Sequence, residues 1–353
     1  MQLAASRFSA LFLAAQIIED KKMAKKHILM IATGGTIASK ETAEGLAPAL
    51  SSKELLSCVP EIGSVCRVDA VQPFNLDSTN VYAKHWLEIA RIVEENYQKY
   101  DGFVVTHGTD TMAYTAAALS YLIQSSAKPI VLTGSQRSAY SRDTDARRNL
   151  ADAFLFCADD GAYGVRIVFD GSVILGTRAK KTRTRSFNAF SSIDFPAVAV
   201  MREGVPFYYI EGKKPTGSPT FSHALNENVF VLKMIPGLRA DIFDYLDAHC
   251  DGLVIESFGA GGLPDYEEGA FLERLAHFLS LGKTAVLTTQ VEREGSSLDK
   301  YAVGRRLHAC GKVLEARCMT LEAAVAKLMW ILSFARGEEA EHLFNTPVEH
   351  DIF

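Results

Sequence analysis

The sequence predicts an α/β protein with a larger, doubly wound N-terminal domain built on a mainly parallel sheet and a smaller α/β C-terminal domain. Two observations support this fold class. Strongly apolar runs without polar alternation are separated by segments of helical periodicity, and a polar stretch rich in proline and glycine divides the chain into two such series. Apolar runs of this kind are typical of parallel strands covered on both faces. A chain of 353 residues is also long enough to form two domains.

The first series contains four predicted strands and three predicted helices. The strands are expected at 27–32, 102–106, 129–133 and 165–169. Two helices are expected at 84–98 and 111–124, each with apolar residues spaced along one face. A third helix, with Asp143 or Thr144 as its N-cap, carries Leu150, Phe154 and Cys157 on its apolar side. Alternation of strands and helices in this way indicates a doubly wound sheet.

A second series follows a turn-rich segment and is predicted to form the smaller domain. Its strands are expected at 228–234, 252–256 and 284–289, and its helices at 241–249, 266–280 and 321–334. Three prolines and Gly217 interrupt the preceding stretch. We therefore predict an N-terminal extension at 1–22, an N-terminal domain at 23–203, a linker at 204–227 and a C-terminal domain at 228–353.

The extension at 1–22 contains a short apolar run at 9–18 that is preceded by one basic residue, Arg7. A secretory signal usually has a more basic start, a longer apolar run and a cleavage site of small residues. We expect a dispensable amphipathic extension or a translation start at Met23, with an export signal as the alternative.

Composition excludes several functional classes. A formal net charge of −5 gives no electrostatic reason to expect nucleic-acid or membrane partners, and no apolar run approaches the length of a membrane span. The six cysteines form no C-x-x-C pair and several lie in apolar stretches, which favours buried free thiols in a reducing compartment. No metal-ligand spacing is present.

Two short segments with threonine follow predicted strands and are the best candidates for a site. They are 33–37 (TGGTI) and 107–111 (HGTDT). Ligands bind at the carboxyl ends of strands in open α/β sheets, so these segments can form two halves of one site. Taken separately, the first can be a strand-exit turn and the second a helix N-cap. Taken together, they indicate nucleophilic chemistry by threonine.

A threonine hydroxyl needs a base nearby, and the sequence offers lysine rather than histidine for that role. Lys180 and Lys181 lie in a basic cluster at 178–185. Neighbouring cations or burial can lower the pKa of a lysine, and Asp110 could pair with Lys181. The alternative interpretation is a solvated basic loop.

These motifs together resemble the bacterial-type L-asparaginase family, specifically its cytoplasmic type I branch, from Met23 to the C-terminus. The resemblance is carried by four segments: 32–37 (ATGGTI), 107–112 (HGTDTM), 131–136 (VLTGSQ) and 176–181 (GTRAKK). It implies a large doubly wound N-domain and a smaller C-domain, a cytoplasmic location and assembly into a homodimer or homotetramer. It also implies an enzyme without metal or organic cofactor.

The resemblance assigns roles by position. Thr36 corresponds to the primary nucleophile, while Thr109, Asp110 and Lys181 correspond to the second catalytic group. The family's substrate contacts fall on these residues: Gly35, Asp77, Ser78, Thr79, Gly108 and Ser135. The implied reaction is hydrolysis of L-asparagine to L-aspartate and ammonia through a β-aspartyl ester, with glutamine as a possible weaker substrate.

The chain departs from the family pattern at two positions. Leu46 stands where many relatives carry a loop tyrosine, for which Tyr301 is a candidate replacement, and Gly262 stands where periplasmic relatives have asparagine.

Two other functions are considered. One is the amide-hydrolysing subunit of a tRNA-dependent amidotransferase, which is disfavoured because such subunits carry an extra N-terminal domain. The other is a non-enzymatic binder of asparagine or aspartate.

Overall fold

The computed structural model describes residues 25–42, 45–298 and 313–353. Strands and helices are numbered here in chain order. The strands are β1 His27–Ala32, β2 Ser39–Thr42, β3 Gly45–Pro48, β4 Arg67–Val71, β5 Gly102–Thr106, β6 Ile123–Gln124, β7 Pro129–Thr133, β8 Gly164–Phe169, β9 Ser172–Leu175, β10 Ala179–Lys181, β11 Phe190–Ser192, β12 Ala199–Arg202, β13 Val205–Tyr208, β14 Thr220–Phe221, β15 Val229–Lys233, β16 Gly252–Ser257, β17 Thr284–Thr289 and β18 Leu314–Glu315. The helices are α1 Ser52–Ser57, α2 Ile62–Val65, α3 Ala83–Asn96, α4 Met112–Leu122, α5 Ala146–Ala158, α6 Ile242–His249, α7 Ala270–Ser280, α8 Leu321–Ile331 and α9 Gly337–Asn345.

An eight-stranded sheet forms the centre of the first domain. Its order is β13-β12-β9-β8-β7-β5-β1-β4. The strands from β4 to β8 are parallel, and β9, β12 and β13 extend the sheet in antiparallel fashion. Strands β1, β5 and β7 are almost wholly buried, as their unbroken apolar sequence predicts. The chain leaves β1 toward β4 on one side and returns to β5 on the other, which creates a switch point between β1 and β5.

A four-stranded parallel sheet in the order β15-β16-β17-β18 forms the centre of the second domain. Helices α6 and α7 pack on it through a cluster of apolar side chains that includes Phe243, Leu246 and Phe271. The predicted fold class is thereby confirmed: a larger doubly wound domain with a mainly parallel sheet precedes a smaller α/β domain.

Two local differences from the sequence prediction have clear causes. Helix α4 is buried on all sides instead of along one face, because α8 from the second domain covers the surface that would otherwise meet solvent. The segment 204–227, predicted as a linker, begins with β13, which pairs with β12 at the edge of the first sheet. The alternation of exposed and half-buried residues in β13 is too short to be distinguished from a turn-rich loop by sequence.

The last residues of the chain are anchored between the two domains by a buried ion pair. Lys327 of α8 lies 2.7 Å from the carboxylate of Asp351, and both side chains are fully buried. The hydroxyl of Tyr121 in α4 donates to the same carboxylate at 2.9 Å, and Lys327 also donates to the Thr346 carbonyl at 2.8 Å. Burial lowers the pKa of Lys327, while the ion pair with Asp351 opposes that shift. A buried charge without a partner is costly, so this trio holds the C-terminal segment in a fixed position.

Some predictions concern residues outside the described part of the chain. These are the extension at 1–22, Met23, Cys310, Tyr301 and the side chain of Leu46. Among the described cysteines, Cys66, Cys157 and Cys250 are buried free thiols as expected, whereas Cys58 and Cys318 are partly exposed. None of the helices in the described residues is long and apolar enough to span a membrane.

Candidate active site

The site lies at the switch point, where β1 and β5 end side by side. Thr33 follows β1, and both its backbone N–H and its hydroxyl donate to the Thr106 carbonyl at the end of β5, at 3.1 and 2.8 Å. The two turns that follow these strands therefore start from a shared, hydrogen-bonded base. Ligands in open α/β sheets bind at this position because the chain diverges there and leaves a crevice.

Glycine is required in both turns because their backbones touch. Gly34 and Gly35 have φ angles of 105° and 80°, which other residues rarely adopt. A Cβ atom on Gly35 would lie 2.3 Å from the Cα of Gly108, and one on Gly108 would lie 2.6 Å from the Ser78 hydroxyl. The segments 33–37 and 107–111, predicted as two halves of one site, are thus in direct van der Waals contact.

Thr36 begins a short 3₁₀ helix, Thr36–Ala38, immediately after the paired glycines. Its side chain is half-buried, and the hairpin of β2 and β3 follows it directly. The Ala38 N–H and the Ser39 hydroxyl both donate to the Gly35 carbonyl, at 3.0 and 2.9 Å. The turn is therefore fixed by its own hydrogen bonds, with Thr36 next to the glycine that touches Gly108.

The second turn carries a threonine, an aspartate and a lysine that contact one another. Lys181 Nζ donates to Thr109 Oγ1 at 2.8 Å and to Asp110 Oδ1 at 2.6 Å. The Lys181 and Thr109 side chains are largely buried, whereas that of Asp110 is 59% exposed. Asp110 does not open α4, which begins at Met112 with Thr111 as the N-cap. The carboxylate of Asp110 is instead directed to the lysine.

Lys181 reaches this turn from β10, and the basic cluster around it is divided into two parts. Arg183 and Arg185 are exposed, in agreement with a solvated basic loop. Arg178 is fully buried and donates to the His350 and Cys318 carbonyls, each at 2.6 Å. The solvated-loop interpretation is therefore wrong for Arg178, which connects the root of β10 to the C-terminal segment.

Asp77, Ser78 and Thr79 form a third segment beside the two turns. The Asp77 carboxylate accepts from the Thr79 N–H and hydroxyl, both at 2.8 Å, and this caps a 3₁₀ helix at Ser78–Asn80. Ser78 is buried, and its carbonyl accepts from the Thr111 hydroxyl at 2.7 Å. This segment is held against the second turn, with Asp77 and Thr79 exposed to solvent.

Ser135 lies after β7, the next strand along the sheet, and is fully buried with its hydroxyl bonded to the Arg137 carbonyl. The following residue, Gln136, accepts from the Thr109 hydroxyl at 3.3 Å through its side-chain oxygen. The motif at 131–136 includes Gln136, but the sequence pattern assigns no role to its side chain. The signal in the sequence for a role of Gln136 was its position one residue beyond Ser135, at the end of a central strand.

The loop after β7 is anchored by a buried carboxylate. Asp145 accepts from the backbone N–H groups of Gln136 and Arg137 at 2.9–3.1 Å, and from the Asn149 amide at 3.2 Å. Burial raises the pKa of Asp145, and these donors oppose that shift. They fix the backbone that presents Ser135 and Gln136.

His107 supports the second turn from below and takes no part in a catalytic pair with threonine. It is fully buried; Nδ1 lies 2.8 Å from the Gly108 carbonyl and Nε2 lies 3.0 Å from the Thr115 hydroxyl. The Gly108 carbonyl can only accept, so Nδ1 carries the proton, and Nε2 accepts from the Thr115 hydroxyl, which in turn accepts from Trp86 at 2.9 Å. Burial lowers the pKa of His107 to about 4.

This low pKa predicts an acid-dependent loss of stability that is specific to His107. Between about pH 6.5 and 4 the unfolded chain binds a proton that the folded chain does not, so stability falls as the pH falls through that range. The expected loss is roughly 3 kcal/mol at pH 4 relative to pH 7. Urea unfolding of the wild type and His107→Gln across this range measures it, since shared carboxylate effects cancel in the difference. Parallel stability curves for the two proteins would contradict the assignment.

Comparison with known proteins identifies the family. Residues 27–212 match the family described as Asparaginase, N-terminal, and residues 228–344 match the Glutaminase/Asparaginase C-terminal domain. The chain belongs to the asparaginase family. It is therefore a hydrolase that acts on amide substrates, as the sequence motifs predict.

Individual members of the asparaginase family cover nearly the whole chain. An L-asparaginase of Thermococcus kodakarensis is 38% identical over 331 residues, which are 92% of this chain and 98% of that protein. A subunit of the glutamyl-tRNA(Gln) amidotransferase of Pyrococcus furiosus is 34% identical over 340 residues, which are 92% of this chain and 76% of that protein.

Solved asparaginase structures superpose closely on this one. That of the thermostable L-asparaginase from T. kodakarensis gives a TM-score of 0.86 at 36% identity and covers 93% of this chain and 99% of that one. That of L-asparaginase I from Vibrio cholerae gives 0.83 at 28% identity and covers 94% and 100%.

Two further observations concern metal binding and Gly262, the second position at which the chain departs from the family pattern. Within the ranges that the structure describes, no group of three or more histidine, cysteine, aspartate or glutamate side chains could hold a metal ion. Gly262 closes a tight turn after β16, in which Phe258 and Gly262 exchange backbone hydrogen bonds of 3.0 and 2.7 Å. This turn presents no side chain at position 262.

Proposed function

We propose that this protein is an L-asparaginase that hydrolyses L-asparagine to L-aspartate and ammonia with Thr36 as the nucleophile. The observation that carries the proposal is Lys181 Nζ, which bridges Thr109 Oγ1 and Asp110 Oδ1 at 2.8 and 2.6 Å beside the glycine turn of Thr36. A binding protein needs no largely buried lysine on a threonine hydroxyl, so this contact favours an enzyme over a non-enzymatic binder.

The first half of the reaction forms an ester on Thr36. Its Oγ1 attacks the side-chain amide carbon of asparagine, and backbone N–H groups near Thr109 stabilise the tetrahedral oxyanion. The carbon–nitrogen bond then breaks, and ammonia leaves with the proton given up by the hydroxyl. A β-aspartyl ester of Thr36 remains.

The second half releases aspartate. Water attacks the ester carbon, and the Thr109–Lys181 pair relays a proton from the water to Thr36 Oγ1 as the bond between that oxygen and the acyl carbon breaks, which restores the Thr36 hydroxyl. Asp110 holds Lys181 in the orientation that this transfer needs. Asp77, Ser78 and Thr79 would hold the α-carboxylate of the substrate, Asp110 its α-ammonium group, and the backbone at Ser135 its side-chain amide, while Gly35 and Gly108 let the substrate approach the backbone.

Asparagine is proposed as the preferred substrate over glutamine. Higher identity to an L-asparaginase than to an amidotransferase subunit supports this choice. One methylene group is worth about 1–3 kcal/mol of discrimination, so weaker glutaminase activity is compatible with it. A homodimer or homotetramer without metal or cofactor, located in the cytoplasm, completes the proposal, and light scattering measures the assembly.

Ammonia release by the purified protein tests the function directly. We expect release from millimolar asparagine at neutral pH, a lower kcat/KM for glutamine, and no dependence on added metal or on EDTA. Thr182→Ala is the matched control for replacement of Thr36 by alanine, because Thr182 bonds to Ser191 and not to the site. Absence of ammonia from asparagine would overturn the proposal, whereas a preference for glutamine would reassign the substrate.

A further inference from the structure

A second cavity of about 240 Å³ lies at the opposite end of the first sheet from the threonine site. It is enclosed by the start of β8, the end of β9, the segment after β13 and the C-terminal segment, and none of its lining residues belongs to the candidate active site. A cavity of about 150 Å³ holds one benzene ring, so this one has room for a planar molecule of two fused rings.

A buried guanidinium group provides the polar wall of this cavity. Arg166 is 4% exposed, and its Nη1 donates to the Val165 carbonyl at 2.8 Å and to the Glu349 carboxylate at 2.9 Å. Both hydrogen bonds of the Arg166 side chain to the described residues are made by Nη1, which leaves the Nε and Nη2 groups for the cavity that Arg166 lines. These two N–H groups form the side-on fork of arginine, which matches two adjacent acceptor atoms on one planar molecule.

The remaining walls favour a flat ring. The Arg166 guanidinium lies over the Tyr163 ring at 5.0 Å, and the Phe195 ring stacks on that of His350 at 5.1 Å. Aromatic rings and guanidinium planes in a cavity bind flat π-systems between them. The ligand that fits best is therefore aromatic as well as planar.

The charges around the cavity and its size limit the chemical class of the ligand further. Glu349 neutralises Arg166, and Glu211 adds a second carboxylate at the exposed rim. Arg178, 5.7 Å from the Phe195 ring, balances Glu211, so the formal charges around the cavity cancel, which favours a neutral ligand. A neutral two-ring molecule that offers two adjacent acceptors to arginine carries a carbonyl oxygen next to a ring nitrogen, the pattern by which arginine recognises O6 and N7 of guanine.

The backbone at the cavity wall is held in an unfavourable conformation. Glu349 and His350 are consecutive residues with φ angles of 48° and 58°, in the left-handed region that residues other than glycine seldom adopt. Such strain costs about 1–3 kcal/mol per residue and is concentrated at ligand-binding sites. Here it places the Glu349 carboxylate on Arg166 and the His350 ring at the cavity.

We propose that this cavity is a binding site for a neutral 6-oxopurine ring, held by the Nε and Nη2 groups of Arg166 and stacked among the aromatic side chains. The proposal concerns a site apart from the threonine turns and does not depend on the function assigned to them.

Titration calorimetry with free bases tests the ligand chemistry. Hypoxanthine is the probe, and adenine, indole and benzoate are the comparisons. Adenine replaces the carbonyl acceptor with an amino donor, indole has two rings without the acceptor pair, and benzoate carries two acceptors with a negative charge. Hypoxanthine is expected to bind at least tenfold more tightly than each of the others. Equal or tighter binding of any comparison, or no binding of hypoxanthine at millimolar concentration, would overturn the proposal.

Two variants and one control variant locate the binding in this cavity. Arg166→Lys keeps a positive charge for Glu349 but removes the fork, so the preference for hypoxanthine over adenine should disappear. Val198→Phe fills the cavity from a buried wall position and should abolish binding, whereas Val205→Phe, at a position 65% exposed on β13, should not. Circular dichroism and thermal unfolding of each variant report whether it is folded. Hypoxanthine preference that survives Arg166→Lys in a folded protein contradicts the site.

Discussion

Replacing Thr36 with alanine is expected to lower kcat for asparagine by about 10⁴-fold or more, because the ester can no longer form. Thr36→Ser retains a hydroxyl on the same turn and should keep a measurable fraction of the activity. Steady-state ammonia release measures both values. The position of Thr36 next to Gly35, whose backbone touches Gly108, is the structural reason for this expectation.

The same experiment separates the roles of the two threonines. Thr109→Val removes the hydroxyl that Lys181 contacts, and by the proposed mechanism this slows attack of water on the ester more than formation of the ester. Rapid quenching of Thr109→Val with asparagine, followed by peptide mass spectrometry, should therefore detect a β-aspartyl adduct on Thr36. An adduct on Thr109 of the wild type, or full activity of Thr36→Ala, would reverse the assignment.

Replacing Lys181 with methionine is expected to lower kcat by about 10³-fold with a smaller change in KM, since a proton-transferring group typically contributes 10²–10⁴-fold. The variant keeps the length and apolar contacts of the side chain but removes both hydrogen bonds, to Thr109 and to Asp110. Lys180→Met is the matched control on the same strand, because Lys180 makes neither contact.

The separate changes in kcat and KM distinguish a catalytic from a purely structural role of Lys181. The loss in Lys181→Met should lie mainly in kcat, whereas Lys180→Met should change neither kcat nor KM. Lys181→Arg keeps the charge but cannot give up a proton at neutral pH, so it should not restore activity. Restoration by arginine, or equal losses in the two methionine variants, would show that the lysine contributes only charge or packing.

The sequence predicted those features of the site that depend on neighbouring residues. Gly34 and Gly35 indicate a tight turn from local chemistry alone, and the burial of β1 and β5 follows from their apolar runs. The contact between Lys181 and Thr109 joins residues 72 positions apart. No local pattern encodes it, and the expectation came from the family resemblance together with the charge of the cluster.

Features that depend on tertiary packing could not be predicted. Arg178 lies in a run of basic residues that resembles a solvated loop, yet it is buried because carbonyls from distant segments surround it. The all-round burial of α4 likewise requires α8 of the second domain. Glu349 and His350 carry no glycine signal for their left-handed backbone.

The anchoring of the C-terminal segment has a consequence for folding while the chain is being synthesised. A ribosome makes the threonine turns and Lys181 well before it reaches His350, whose carbonyl accepts from Arg178 across 172 positions of the chain. The same holds for Asp351, the partner of Lys327 and Tyr121. Domains generally fold as units with the N-terminal one first. Here the strand that carries Lys181 lacks this anchor until residue 350 has been synthesised, so a nascent chain that has not reached it holds all the site's residues without the packing that fixes them.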